Sequence, residues 1–361
     1  MFGKTIDYIL LIISVTFIFT AAIMPFMIKI ANHIGAIDVP RARHIHDKNM
    51  PQLGGLGMFF GFLFGYMLFG INSIQMNSVL IGSFIIIIVG IIDDIKPITS
   101  FKKLFGQIIA AVVIVFYGKI LISNATFFGL TFNFGILKYP ITILFILACI
   151  NMINLIDGMD GLSSGISAIF FITIGIICFF QGKVDSLVAI IAFIMIGTTL
   201  GFLLHNFNPA RIFAGDNGSM FMGFIISIVA LLGFKGTTLT SLIVPIIILA
   251  IPILDTLFAI IRRALKKQPI FSADKDHMHH QFLKMNFSQR TTVLIVYAIN
   301  ILFSVASIFY VLKDSTKGRV IYIILFVLVL WFVLNTDIIS HKMSSKVKGF
   351  EEKIIKKAKK K

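Results

Sequence analysis

Eleven stretches of this sequence are apolar over about 20 residues each, and they decide what the chain can fold into. A helix of that length crosses the hydrocarbon core of a bilayer while its backbone hydrogen bonds stay within the helix. The composition agrees, since 58% of the residues are hydrophobic and 13% are charged. The sequence therefore predicts an all-α polytopic membrane protein with about 11 transmembrane helices. They centre near residues 18, 62, 85, 111, 148, 172, 195, 225, 251, 301 and 330.

Prolines in the ninth apolar stretch predict a kinked or broken ninth helix. Pro245 and Pro252 lack a backbone N–H, and a proline inside a helix removes a hydrogen bond. Asp255 follows in the same stretch, where an acid either serves a function or pairs with an arginine. With no internal repeat and no long linker, we predict one transmembrane domain over residues 1–340 and a basic tail over 341–361.

The distribution of basic residues predicts the orientation of the helices. Of the 32 Lys and Arg residues, 24 lie in the tail and in the loops that follow odd-numbered spans. Cytoplasmic loops carry the excess of Lys and Arg in membrane proteins. We therefore predict that the N-terminus lies outside and that the C-terminus is cytoplasmic. This topology accounts for the net charge of +16, so we expect no nucleic acid partner.

The same orientation gathers the reactive side chains on one face of the membrane. All eight histidines and most of the aspartates fall in cytoplasmic loops or at cytoplasmic helix ends. A secondary transporter would instead place its polar groups near the bilayer midplane. The pattern favours a multi-pass protein of the cell membrane with an active site on its cytoplasmic face. A transporter is the alternative from a different functional class.

The run from Asn151 to Gly161 places amides and carboxylates at the end of the fifth apolar stretch. Helical spacing brings Asn154 and Asp157 close to one face, and the glycines then let the chain leave the helix. Asn154, Asp157 and Asp160 could simply end the helix, as such residues often do before glycine. They could equally donate and accept hydrogen bonds with a uracil or a sugar, which makes them candidate substrate-binding residues.

Asp93 and Asp94 end the third apolar stretch. Two carboxylates at a helix C-terminus oppose the helix macrodipole, so they are poor structural choices. Their functional use would be to bind Mg²⁺ or to accept a proton, with Lys96 supplying positive charge to a phosphate. The alternative is an ordinary solvated acidic helix end.

The run from Phe207 to Ser219 precedes the eighth apolar stretch and contains Gly-Asp-Asn-Gly-Ser. Asp216 could be an N-cap, since aspartate is favoured at helix starts. The surrounding glycines also leave room for a ligand or a metal ion to approach closely. Phe213 is a candidate stacking surface within a polar loop.

Two cytoplasmic loops carry basic side chains that suit phosphate groups. Guanidinium and imidazole groups bind diphosphates, although the first loop alone is also typical of positive-inside topology. The nearby candidate metal ligands are Asp and Asn oxygens, which favour Mg²⁺ or Mn²⁺ over zinc. The first loop contains Arg41, Arg43, His44, His46 and Lys48, and the second contains Arg262, Arg263, His277, His279 and His280.

These motifs, in this order, resemble the polyprenyl-phosphate N-acetylhexosamine-1-phosphate transferase family over roughly residues 35–285. The resemblance implies Mg²⁺-dependent transfer of a sugar-1-phosphate from a UDP-sugar to a polyprenyl phosphate on the cytoplasmic face, with release of UMP. It also implies that Mn²⁺ can replace Mg²⁺. The implied partners are the UDP-sugar, the lipid phosphate and the membrane, with a homodimer left open.

The resemblance also implies a role for each matching residue. Asp216 corresponds to the Mg²⁺ ligand, and Asp93 and Asp94 to the acid pair that activates the lipid phosphate or helps to hold the metal. His277 joins that acid pair in the implied catalytic group. The implied substrate-binding residues are Lys48, Lys96, Asn154, Asp157, Asp160, Phe213, Arg263, His279 and His280.

The histidine pattern separates two branches of the family. His277, His279 and His280 are interrupted by Met278, which resembles the branch that uses UDP-GlcNAc in teichoic acid or O-antigen synthesis. The branch that uses UDP-MurNAc-pentapeptide in peptidoglycan synthesis typically has three consecutive histidines. GlcNAc-1-phosphate transfer to undecaprenyl phosphate is therefore the favoured activity, and phospho-MurNAc-pentapeptide transfer is the alternative.

Overall fold

The computed structural model describes residues 2–39, 49–127, 130–234, 249–265, 282–283, 285–312 and 315–335. Its backbone contacts divide the chain into two compact units, Met1–Ile246 and Ile247–Lys361. The prediction of one domain over residues 1–340 stays a prediction.

The described part of the first unit is built mainly from eight α-helices. A π-helical turn at Val113–Tyr117 extends the fourth helix, and a 3₁₀ turn at Gly135–Leu137 leads into the fifth. The helices are α1 (Phe2–Ile34), α2 (Gly54–Phe69), α3 (Ile74–Ile95), α4 (Ser100–Val112), α5 (Lys138–Ile156), α6 (Leu162–Phe180), α7 (Leu187–Asn206) and α8 (Gly215–Phe234).

The described part of the second unit contains α9 (Ala250–Leu265), α10 (Gln289–Leu312) and α11 (Ser315–Asn335). Pro252 lies within α9, whereas Pro245 lies outside the described residues. The predicted break in the ninth helix therefore stays a prediction.

The all-α prediction needs one correction, because two small antiparallel sheets accompany the helices. Strand β1 (Ile37–Asp38) pairs with β2 (Met50–Pro51), and β3 (Asn124–Phe127) pairs with β4 (Leu130–Asn133). Backbone N–H and C=O groups outside a helix need other partners, and a short hairpin supplies them. The second sheet lies between the fourth and fifth helices, in a stretch where the sequence predicts no secondary structure.

Within the described part of the chain, eight helices are long and apolar enough to cross a membrane, so the chain is a polytopic membrane protein as predicted. Helix α2 is also apolar but has only 16 residues. The number of spans and their orientation stay predictions. The eight candidate spans are Thr5–Ile34, Ile74–Ile95, Ser100–Tyr117, Gly135–Ile156, Leu162–Phe180, Leu187–Asn206, Gly215–Gly233 and Gln289–Leu312.

Helix α8 lies at the centre of the first unit and determines where the polar residues meet. It packs against α2, α3, α5, α6 and α7, and nearly all of its residues from Gly215 to Ala230 are buried. A helix that is apolar on all sides is stable only when it is surrounded in this way. The start of α8 therefore faces the ends of its neighbours, and their polar residues converge there.

Candidate active site

Three carboxylates form a cluster where α3 ends and α8 begins. Asp93 and Asp94 occupy the last turn of α3, and Asp216 is the second residue of α8. One oxygen from each side chain lies within 4.8 Å of the others, which is close enough to share a metal ion. No spacing in the sequence relates residues 94 and 216, so this convergence depends on the packing of α3 against α8.

Lys103 of α4 lies between two of these carboxylates. Its Nζ is 2.7 Å from Asp93 Oδ2 and also contacts Asp216 Oδ2. The remaining oxygen of Asp93 accepts the backbone N–H of Ile98 at 2.9 Å, at the turn that joins α3 to α4. The three side chains are only partly exposed, so their charges are less screened than those of surface pairs.

Asp94 caps the start of α8 from another helix. Its two oxygens accept the backbone N–H of Asp216 at 2.9 Å and that of Asn217 at 3.1 Å, and the Asn217 amide also donates to it. The first N–H groups of a helix have no partner within the helix, and a negative charge near them is favourable. Asp94 is therefore unfavourable for α3 but favourable for α8, which resolves the conflict noted from the sequence.

Glycines allow this close approach of α8 to α2 and α3. A Cβ at Gly90 would collide with the backbone of Asn217, and a Cβ at Gly55 would collide with the Asn217 side chain. Gly215 has a φ of 70°, which other residues rarely adopt, and a Cβ there would collide with the carbonyl of Gln52. The same carbonyl accepts the Asn217 amide at 2.7 Å, which fixes the start of α8 against the segment before α2.

Asn154, which the sequence predicts as a substrate-binding residue, connects α5 to the carboxylate cluster. Its Nδ2 donates to Asp216 Oδ1 at 3.1 Å and to the Ser219 hydroxyl at 2.8 Å. The Asp216 side chain is thus held from two sides, by an amide and by the ammonium of Lys103. Asn154 therefore contacts the same carboxylate that the resemblance assigns to the metal.

Asp157 follows α5 in a partly buried position. The Ser163 hydroxyl donates to its Oδ1 at 2.5 Å. The pKa of this carboxyl is raised from 3.8 to about 7, mainly by burial and also by the nearby charges of Asp216 and Asp160, while the Ser163 hydrogen bond opposes the rise. Asp157 is thus a carboxyl that can change its charge near neutral pH.

Asp160 and Asn206 join two loops beside the cluster. Asp160 Oδ2 accepts the Asn208 amide at 2.9 Å and the Ala210 N–H at 3.1 Å. Asn206 Oδ1 accepts the N–H of Gly161 at 3.1 Å, and its amide donates to the carbonyl of Ile212 at 3.0 Å. The segment after α5 and the segment before α8 are therefore held together as one surface.

Phe213 lies at the end of this surface, next to the start of α2. Its N–H donates to the carbonyl of Pro51 at 2.8 Å, and its own carbonyl accepts the N–H of Gly54 at 3.0 Å. The ring is partly buried. The backbone position of this predicted stacking residue is thus fixed by pairing with the segment that precedes α2.

The other predicted site residues have different positions. Lys96 is exposed at the C-cap of α3, whereas the ammonium group that meets the carboxylates belongs to Lys103. Arg263 is buried within α9 in the second unit. Lys48 and the three histidines at 277, 279 and 280 lie outside the described residues, so their assigned roles stay predictions.

Lys103 and Asn217 are the main residues that the sequence analysis missed. A signal for Lys103 was present, because Lys103, Gln107 and Ala110 recur at helical spacing on the buried side of α4. We had counted Lys103 only as a basic loop residue. Asn217 had a weaker signal, its place within the Gly-Asp-Asn-Gly run, and its role depends on glycines in two other helices.

The residues of the cluster fit a divalent metal ion. Carboxylate oxygens are the ligands that Mg²⁺ and Mn²⁺ prefer. The Lys103 ammonium between Asp93 and Asp216 shows that the space between these two carboxylates suits a cation. Asp94 is less available to a metal, because both of its oxygens already accept hydrogen bonds from α8.

Comparison with known proteins agrees with this arrangement. The family model described as glycosyl transferase family 4 matches residues 76–234, which include the carboxylate cluster, Lys103 and Asn154. The chain is 40% identical to "Probable undecaprenyl-phosphate N-acetylglucosaminyl 1-phosphate transferase" of Bacillus subtilis (strain 168), over 88% of each chain.

More distant relatives have related names. "Decaprenyl-phosphate N-acetylglucosaminephosphotransferase" of Mycobacterium tuberculosis (strain CDC 1551 / Oshkosh) is 30% identical over 74% of each chain. "Undecaprenyl-phosphate alpha-N-acetylglucosaminyl 1-phosphate transferase" of Escherichia coli (strain K12) is 28% identical over 80% of each chain. The chain therefore belongs to glycosyl transferase family 4, within its branch of polyprenyl-phosphate N-acetylglucosamine-1-phosphate transferases.

Proposed function

We propose that this protein transfers N-acetylglucosamine-1-phosphate from UDP-GlcNAc to undecaprenyl phosphate and releases UMP. A phosphate oxygen of the lipid attacks the β-phosphorus of UDP-GlcNAc, and the bond from that phosphorus to the oxygen bridging to UMP breaks. The names of the relatives support this substrate pair over UDP-MurNAc-pentapeptide. The observation that carries the proposal is the Asp93–Lys103–Asp216 cluster at the converging helix ends.

The main barrier to this reaction is repulsion between two anionic substrates. The lipid phosphate is already ionised near neutral pH, so the nucleophile needs little activation. Positive charge placed between the two phosphates lowers the barrier by neutralising both. Lys103 can supply such charge, since its flexible stem already brings the ammonium group to the cluster.

Asp93 is better placed than Asp94 to act on the lipid phosphate. Asp94 uses both oxygens to hold the start of α8, whereas Asp93 Oδ2 contacts only the mobile ammonium of Lys103 among the contacts described above. We therefore assign Asp93 the role of proton acceptor or metal ligand. Asp94 keeps its predicted place in the site, but its contribution is to hold Asp216.

We further propose that Asp216 and Asp93 hold the divalent metal ion, Mg²⁺ or Mn²⁺. Such an ion, when bound, supplies positive charge to the diphosphate of the donor. Asn154 and Asp94 both position Asp216, which is one of the two proposed metal ligands. Asn154 orients the carboxylate of Asp216, and Asp94 fixes its backbone.

The nucleoside and sugar are assigned to the surface formed by the two joined loops. Asp157 and Asp160 lie along its first segment, Asn154 lies in the last turn of α5 just before it, and Phe213 lies at the end of its second segment. Asp160 Oδ2 is engaged by the neighbouring loop, so the other oxygen of this side chain is the candidate for a contact with the donor. Lys48, Arg263 and the three histidines keep the roles that the resemblance implies, as predictions from the sequence.

The reaction is proposed to take place on the cytoplasmic face of the cell membrane, because UDP-sugars are made in the cytoplasm. The distribution of Lys and Arg supports this orientation. The lipid-linked product would begin a cell-envelope polysaccharide of the teichoic acid or O-antigen type. A homodimer is left open.

The test uses membranes that contain the protein, undecaprenyl phosphate and radiolabelled UDP-GlcNAc. We expect a labelled lipid diphosphate in the organic phase and an equal amount of UMP in the aqueous phase. Release of UDP would mean that the sugar is transferred without its phosphate. Label incorporated only from UDP-MurNAc-pentapeptide would identify the peptidoglycan reaction instead. Membranes with the Asp216→Asn variant serve as the inactive control.

A further inference from the structure

Three helices place one side chain each in a layer that surrounds the metal-binding position. We call these side chains the site layer: Lys103 of α4, Asn154 of α5 and Asp216 of α8. Their contacts depend on the register of the helices, because Lys103 and Asn154 both meet the carboxylate of Asp216. A small shift of one helix along its axis would separate these groups.

One helical turn away, the same three helices form a second layer. We call it the amide layer: Gln107 of α4, Asn151 of α5 and Met220 of α8. Asn151 Nδ2 donates to Gln107 Oε1 at 2.8 Å, and Gln107 Nε2 lies 3.4 Å from Asn151 Oδ1 and 3.2 Å from the sulfur of Met220. Residues three or four apart share a helix face, so the two layers are neighbours on every helix.

The amide layer is suited to fix helix register. Apolar packing is non-directional, so it tolerates a small slide of one helix against another. A buried amide that loses its partner is costly, and Gln107 is only 2% exposed. The reciprocal pair between Gln107 and Asn151 is therefore satisfied at one relative position of α4 and α5.

Helix α4 needs such a device because one of its sides is not covered by protein. Phe101 is 78% exposed, Phe105 is 62% exposed and Ile109 is 40% exposed, and these residues recur at helical spacing. In a membrane this side meets lipid chains, which give no directional contacts. The position of Lys103 against Asp216 thus depends on the buried side of α4, where Gln107 is the polar residue one turn further on.

We propose that Gln107 and Asn151 are positioning residues for the transfer reaction. Their amide pair sets the register of α4 against α5, and in this way holds the ammonium of Lys103 between Asp93 and Asp216. This inference rests on the proposed function where transfer activity is measured, and on cation binding alone where the affinity for Mn²⁺ is measured.

The test compares wild type with Gln107→Met, which conserves volume, and with Asn151→Leu. We expect kcat to fall by between roughly tenfold and a hundredfold, with KM for UDP-GlcNAc changed by less than about threefold, because misplacement affects the reacting groups more than donor binding. Mn²⁺ binding, measured by electron paramagnetic resonance on the detergent-solubilised protein, should become tighter by about tenfold, since a less constrained ammonium competes less with the cation.

Two further variants separate positioning from general stability. The exchanged pair, Gln107→Asn with Asn151→Gln, keeps the combined side-chain length and should return kcat and the Mn²⁺ affinity to within about threefold of wild type. It also keeps the proposal testable if a single variant does not fold. Thr173→Val removes a buried hydroxyl that bonds only within α6 in the contacts described, and should change neither quantity.

The outcomes distinguish the two proposals. If the single variants lose thermal stability but keep wild-type kcat and Mn²⁺ affinity, the amide pair is only structural and the inference is wrong. If Mn²⁺ binding weakens together with kcat, the site is disrupted as a whole and the inference is equally wrong. If wild type releases no UMP from UDP-GlcNAc, the proposed function fails, while the Mn²⁺ measurement still tests the amide pair.

Discussion

The adjacent carboxylates Asp93 and Asp94 should differ sharply in what their removal does to stability. Asp94→Ala removes the acceptor of two backbone N–H groups at the start of α8 and one of the two acceptors of the Asn217 amide. Loss of an N-cap costs about 1 kcal/mol, and each buried donor left unpaired adds roughly 1–3 kcal/mol. Relief of the unfavourable charge at the end of α3 returns less than about 1 kcal/mol. The expected net loss is therefore several kcal/mol, about 3 kcal/mol at the lower end of these ranges.

Asp93→Ala is the matched comparison, because it removes a carboxylate from the same helix end. It loses the acceptor for the Ile98 N–H and one of the two carboxylates at Lys103, while Asp216 still pairs with that lysine. We expect a loss of about 1 kcal/mol, with the same relief of charge at α3.

Chemical or thermal unfolding in detergent, monitored by far-UV circular dichroism, measures the difference between the two variants in free energy of unfolding. Both variants should lose transfer activity, so activity alone does not separate them. Asp94→Asn, which keeps one acceptor oxygen, should fall between the two alanine variants in stability. Equal stability of Asp93→Ala and Asp94→Ala would refute the assignment of Asp94 as the cap of α8.

Other perturbations test the remaining parts of the site. Lys103→Met should lower turnover by at least about a hundredfold, because it removes charge that stabilises the reacting phosphates. Lys102→Met, at the neighbouring exposed position, should change turnover by less than about threefold. Similar losses in both variants would contradict the role of Lys103. Treatment with EDTA should abolish turnover and Mg²⁺ or Mn²⁺ should restore it, and full turnover after exhaustive chelation would exclude the metal site. The pKa of Asp157 is raised to about 7 in the folded state against 3.8 for the free side chain, so its deprotonation disfavours the folded state. The free energy of unfolding of wild type relative to Asp157→Asn should therefore fall as the pH rises from 3.8 to 7. An unchanged difference over this range would contradict the raised pKa. A reporter that is active only in the cytoplasm should be active after Lys361 and silent between α4 and α5, and the reverse result would invert the topology.

The sequence predicted a polytopic helical membrane protein correctly, because the length of an apolar stretch is a local property. It also identified Asp93, Asp94, Asn154 and Asp216 as polar residues at helix ends on one face. These residues do converge in the first unit, where Asp94 and Asn154 both contact Asp216 or its backbone. Local pattern was sufficient for this much, since each motif lies at or next to an end of an apolar helix.

Residue roles that depend on packing between helices could not be predicted. The difference between Asp93 and Asp94 arises because only Asp94 reaches the first N–H groups of α8. The choice of Lys103 over Lys96 depends on which side of α4 faces α5 and α8, which the sequence indicates only weakly. The hairpin of β3 and β4 was missed because its strands are only four residues long and carry no strong alternation.

The cap on α8 also bears on the order in which the protein is made. Ribosomal synthesis delivers α3 to the membrane well before α8, since more than a hundred residues separate Asp94 from Asp216. Because chains emerge from the N-terminal end, the acceptor for the first N–H groups of α8 is already in place when that helix arrives. Helix α8 is therefore expected to insert against a prepared partner. A chain that lacked α3 would leave the start of the most deeply buried helix of the first unit without its cap.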